Sequence, residues 1–117
     1  MSTELIEYKE QLNNFLTDTF RQYGVECEVK DGIVIFRREH ITAYTKLFEI
    51  SASTTILLQL DVILKIGVGK EIVESCVGIG IDADAAMKDA WKKFLSNAFH
   101  VLLSAFFALE SGEQVDH

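Results

Sequence analysis

The chain of 117 residues has no proline, two cysteines, three histidines and one tryptophan. Without proline there is no proline-rich linker, and no repeat or low-complexity stretch is present either. Cys27 and Cys76 are far apart and belong to no Cys-x-x-Cys pair. The start, Met-Ser-Thr-Glu-Leu-Ile-Glu, is acidic where a secretory signal is basic and then apolar. Reduced thiols in a cytoplasmic protein are therefore expected. No long apolar run occurs: the longest uncharged stretch, Phe94 to Leu109, is sixteen residues and holds Ser96, Asn97, His100 and Ser104. A membrane span needs about 20 mostly apolar residues, so this stretch reads as a buried or interface helix. Basic residues are scarce too. Eleven Lys and Arg against eighteen Asp and Glu give a net charge of −7, which argues against nucleic acid and anionic membranes as partners.

A hydrophobic fraction of 49% excludes a disordered chain. The length suits a single domain over residues 1–117, with a short tail from about residue 111. Leu5, Tyr8, Leu12, Phe15, Leu16, Phe20 and Tyr23 recur at three- and four-residue spacing, predicting an amphipathic helix over Thr3 to Tyr23. Ser2 or Thr3 can cap its start and Gly24 can close its end. Asp31-Gly32 between the alternating runs Val25–Lys30 and Ile33–Arg37 predicts a type I′ hairpin. In that register Val25, Cys27, Val29, Val34 and Phe36 share one face. Residues Ile41 to Ser51 alternate poorly but are rich in strand formers. Ser51 to Thr54 reads as a connection.

From Thr55 to Ile66 alternation is clear, with Ile56, Leu58, Leu60, Val62, Leu64 and Ile66 on one face, and this segment reads as the central strand. After Gly67-Val-Gly-Lys70 the chain returns through Glu71 to Ile81, with Gly78 and Gly80 on one face for a bulge or close packing. Asp82 or Asp84 caps a long helix to about Glu110, with a seam of Trp91, Leu95, Ala98, Leu102, Ala105 and Leu109. The expected fold is α+β: an antiparallel sheet of about five strands with an N-terminal and a long C-terminal helix on one face.

Sequence fragments similar to cofactor motifs fail on spacing. Gly67-Val-Gly-Lys70 lacks P-loop spacing and is followed by Glu71 rather than Ser or Thr. Gly78-Ile-Gly80 lacks the third glycine of a dinucleotide fingerprint. Asp82-Ala-Asp84 would place Met87 and Lys93 at the glycine and twelfth positions of a calcium loop. His40, His100 and His117 have no metal-site spacing. Neither a metal nor another cofactor is expected, and no catalytic residues are assigned. Ser75 and Cys76 sit inside a strand with no elbow turn to expose a nucleophile.

Val73-Glu-Ser75, Gly78-Ile-Gly80, Asp89-Ala90, Phe94, Asn97 and the run Phe99 to Phe106 together resemble an uncharacterised bacterial domain family of unknown function, over about residues 55–110. The resemblance implies a bacterial source and a longer natural chain of which this is the first domain. It implies no activity.

The expected function is a non-catalytic acidic module that binds a basic protein, by analogy of size and charge with immunity proteins and secretion chaperones. One alternative is a small-ligand binder with Trp91, Phe94 and Phe99 lining a pocket between sheet and helices. Another is an enzyme using His100 or surface carboxylates. Arg37, Arg38, His40, Asp61 and Glu74 form a candidate binding surface, with Asp61 and Glu74 expected together on the sheet face away from the core. A homodimer is expected through the C-terminal helix at His100, Leu103, Ser104 and Phe107, because the helix is apolar nearly all round.

Overall fold

A computed structural model describes residues 3–51 and 54–111, with side chains from 5 to 50 and 54 to 107. Helix α1 (Thr3–Arg21) forms where the three–four spacing predicts it, and buries Leu5, Leu12, Leu16 and Phe20. Gly24 ends it at φ +79°, while Val25 N–H donates to the Phe20 carbonyl at 3.2 Å. That left-handed turn is open to glycine without steric penalty. Capping by Ser2 or the Thr3 side chain lies outside the described residues.

Strands β1 (Glu26–Lys30) and β2 (Ile33–Arg38) pair through Lys30↔Ile33, with Asp31 at φ 53° and Gly32 at φ 76°. Both turn residues have the positive φ of a type I′ turn. Strands β3 (Ile41–Ser51), β4 (Ile56–Ile66) and β5 (Lys70–Gly80) complete an antiparallel sheet in the order β1-β2-β3-β4-β5. The central strand is thus β3, not β4: consecutive hairpins place the clearest alternation one strand from the edge. Of the expected connection Ser51–Thr54, Ala52 and Ser53 lie outside the described residues.

The helices share one face. There α1 meets the sheet through Phe20 and Phe36, whose rings lie 5.2 Å apart. Helix α2 (Ala83–Ser96) begins at Asp82, whose carboxylate accepts from Ala85 N–H at 2.8 Å. It lies on Gly78 and Gly80: a Cβ on Gly78 would stand 2.0 Å from the Ala86 carbonyl oxygen, and one on Gly80 2.4 Å from the Ala86 nitrogen. The pairing from Ile56↔Gly80 to Ile66↔Lys70 is unbroken, so the glycines serve close packing and make no bulge.

The expected single C-terminal helix is two. Asn97, at φ −130° and ψ −71°, separates α2 from α3 (Ala98–Ser111). Its N–H reaches the Lys93 and Phe94 carbonyls, and its own carbonyl accepts from His100 and Val101. Asn97 thereby satisfies two of the open carbonyls ending α2 and two of the open N–H groups starting α3. The buried line is Ala86, Met87, Ala90, Phe94, Ala98, Leu102 and Phe106, with Trp91, Leu95 and Ala105 on its flank. The Leu109 side chain and the tail from residue 112 lie outside the described residues.

Candidate functional site

The residues nominated on the C-terminal helix lie on α3, unequally exposed. His100 and Ser104 face solvent, whereas Leu103 is half-buried against the core. Phe107 is also half-buried, its ring edge-on to Tyr23 with centroids 4.8 Å apart. Part of the apolar excess that suggested an interface there is therefore covered within the subunit.

The second nominated group does not form one surface. Arg37 lies on the helix-free sheet face, 3.7 Å from Glu28. Arg38 lies on the other, where its Nη1 donates to the Phe106 carbonyl at 3.3 Å. His40 is exposed in the β2–β3 turn. Asp61 pairs with Ser75, and Glu74 with the buried Val62. Asp61 and Glu74 thus point to opposite sides of the sheet, because adjacent positions on a strand alternate faces.

The rings expected to line a ligand space pack on one another and on Phe15 of α1. Phe15 contacts Trp91 at 5.1 Å and Phe99 at 5.5 Å, and Phe94 lies 5.8 Å from Phe99. Bordering this cluster, a groove of about 300 Å³ runs between α1 and α2, lined by Tyr8, Phe15, Met87 and Trp91, with Asp84 and Lys88 also beside it. A second cleft, of about 460 Å³, opens among α1, the hairpin tip and β3, with Lys9, Asn13, Asp31 and Lys46 around it. The β2–β3 pairing runs only from Phe36↔Ala43 to Arg38↔Ile41, before the strands reach this cleft.

The helix-free face is a surface that alternation alone did not predict. Ile35, Tyr44, Phe48, Ile50, Leu57, Ile63, Val73, Val77 and Ile79 belong to it by register. Phe48 is 39% exposed, Ile50 37%, Val73 48% and Ile79 52%. Across its middle, Lys46, Asp61 and Ser75 are consecutive cross-strand neighbours. Asp61 Oδ1 accepts from Ser75 Oγ at 2.6 Å and from Gln59 Nε2 at 2.9 Å. The face carries Glu26, Glu28, Asp61 and Glu71 against Lys30, Arg37, Lys46 and Lys65, so its charges cancel. The whole formal −7 falls on the rest of the chain.

Sequence reasoning also missed a clamp on the outer edge of β5. Asp89 Oδ2 accepts from Ile79 N–H at 3.0 Å, and Lys93 Nζ donates to the Val77 carbonyl at 2.7 Å. The two side chains join at 2.9 Å. They occupy backbone groups that an edge strand otherwise offers to another chain. The Ile79 N–H bond, then the Lys93 bond, hold the Asp89 carboxyl below its usual range. The only sequence signal was the i,i+4 spacing of Asp89 and Lys93, which carries no information about strand partners. Cys27 and Cys76 are free and half-buried, and burial pushes both thiols up. Among the described residues no group of three His, Cys, Asp or Glu could hold a metal ion, and no helix is long and apolar enough to cross a membrane.

Comparison with known proteins adds one match, which spans residues 28–117 and is described as a family of unknown function (DUF6348). The chain belongs to that family. The match extends beyond the 55–110 stretch of the sequence resemblance, taking in most of the β1–β2 hairpin and all of β3. Neither a curated protein nor a solved structure matches the chain.

Proposed function

We propose that this member of the family is a non-catalytic, cytoplasmic binding module that holds a basic protein against its helix side. The division of charge supports this reading. The helix-free sheet face is balanced, whereas α1 presents Glu7, Glu10 and Asp18 to solvent against Lys9 and Arg21. Complementary fields of this kind speed encounter and select partners by charge.

Fluorescence anisotropy with a labelled Lys/Arg-rich peptide tests it. Reversing Glu7 and Glu10 to Lys weakens binding about tenfold or more, the effect expected when charges at the contact are reversed. Reversing Glu26 and Glu28, the same change in net charge on the open sheet face, leaves affinity within about twofold. Equal losses from both variants, or no binding by the parent chain, contradict the reading.

The groove between α1 and α2 favours a second reading, a small apolar ligand seated against Trp91. Saturable quenching of Trp91 fluorescence by a panel of aromatic ligands is its measurement. No quenching anywhere in the panel removes it.

A further inference from the structure

We infer that the helix-free sheet face is where two copies of this chain join, sheet against sheet, about a two-fold axis that runs along the strands between β3 and β4. A β-sheet with one face on the core ordinarily turns polar residues outward. Here the outward face keeps Phe48, Ile50, Val73 and Ile79 over a third exposed. Exposed apolar side chains gathered on one face, among polar residues, are the pattern of an interaction surface.

Charge selects a second copy as the occupant. Two chains of −7 repel each other wherever their acidic surfaces meet. The open face, with four acids and four bases, is where they approach without that penalty.

The register makes the face complementary to itself. Lys46 pairs with Asp61, and Ile50 with Leu57, across β3 and β4. A two-fold axis along the line between these strands lays each row on its own reverse. Lys46 then meets Asp61 of the partner subunit in the middle row, and Ile50 meets Leu57 of the partner subunit in an end row. Packed sheets cross at about 30°, which shifts the end rows most and the middle row least. The same axis carries Val73 of the partner subunit toward a hollow of about 270 Å³ lined by Ile33, Ile35, Tyr44 and Lys46. Three strands of eleven residues and two shorter ones cover about 700 Å² in flat projection, at about 3.3 Å per residue and 4.8 Å per strand. A standard interface uses about 600–1,000 Å² per partner, a range that includes the area of this face. The helix side stays free, so the dimer is independent of the basic-partner reading.

Light scattering after size exclusion, from low to high micromolar concentration, tests the inference with circular dichroism to confirm folding. The parent chain runs as a dimer. Val73→Glu, at a half-exposed position, weakens the dimer about a hundredfold or more, since two apolar side chains leave the interface and two charges enter it. Lys46→Asp and Asp61→Lys each place like charges opposite one another and give folded monomers. Mixed in equal amounts, those two variants recover a dimer, because each then meets its opposite. Any of three results overturns the inference: a monomeric parent at high micromolar concentration, a dimer that Val73→Glu leaves intact, or two folded charge variants that stay monomeric when mixed.

Discussion

Replacing Gly78 by alanine perturbs the contact that sets how α2 lies on the sheet. The added Cβ would stand 2.0 Å from the Ala86 carbonyl oxygen, 2.4 Å from the Ala90 nitrogen and 2.6 Å from the Ala90 Cβ. Two of these three atoms are helix backbone, so rotation of a side chain cannot relieve the clash. Reaching ordinary contact requires α2 to retreat by on the order of 1 Å, and close-packed interiors do not absorb such a shift freely. Ala86, Met87, Ala90 and Phe94 withdraw with it from the core they fill. Overpacking of this kind costs about 1–3 kcal/mol, and a lower unfolded-chain entropy returns only about 0.4–1 kcal/mol. Contacts with backbone at this range place the net loss near the top, about 2 kcal/mol.

Urea unfolding followed by circular dichroism reads this as a fall of about 1–2 M in the midpoint, for a slope typical of small domains. Gly24→Ala is the comparison: nothing lies within 4 Å of its Cβ, and only its φ of +79° resists a side chain. A Gly78→Ala midpoint within about 0.3 M of the parent chain refutes the close approach of α2.

Asp89→Asn tests the β5 edge clamp through pH. A carboxyl held below its ordinary value stabilises the fold above its unfolded pKa, and that contribution is lost as pH falls through the lower folded value. The parent chain is therefore more stable than Asp89→Asn at neutral pH, and the gap narrows below the usual carboxylate range. A gap that persists unchanged into acid contradicts the ionic account. Burial raises the Cys27 and Cys76 thiols, so alkylation by iodoacetamide near pH 8 is slower for the folded chain than for the urea-unfolded chain. Equal rates refute that environment.

The elements legible in sequence were those whose cause is local. Asp31-Gly32 declared its hairpin because two adjacent residues must accept positive φ, and α1 declared itself by a single apolar stripe. The middle of the sheet was harder because β3 is apolar on both faces. Ile41, Ala43 and Leu47 turn toward the helices while Tyr44, Phe48 and Ile50 turn away, which erases the period of two. The break at Asn97 was hidden by apolar spacing that runs across it from Phe94 to Ala98.

Gly78 and Gly80 signalled a close approach without saying to what. The separation of Asp61 from Glu74 followed from alternation, yet which side of β5 the helices cover did not. Asp89 and Lys93 were invisible as a clamp because their partners are backbone groups of a strand ten and sixteen residues away. The helix-free face could be recognised only once all three helices were placed on the other side.

The association rate with a Lys/Arg-rich peptide, measured by stopped flow as salt is raised, tests most directly the proposal that the acids of α1 recruit a basic partner. Screening shortens the reach of exposed charges to about 10 Å at 0.1 M salt. The account predicts a rate that falls about tenfold or more between low and high salt, and a shallower fall once Glu7 and Glu10 are reversed. A rate indifferent to salt, or a slope unchanged by that reversal, contradicts it.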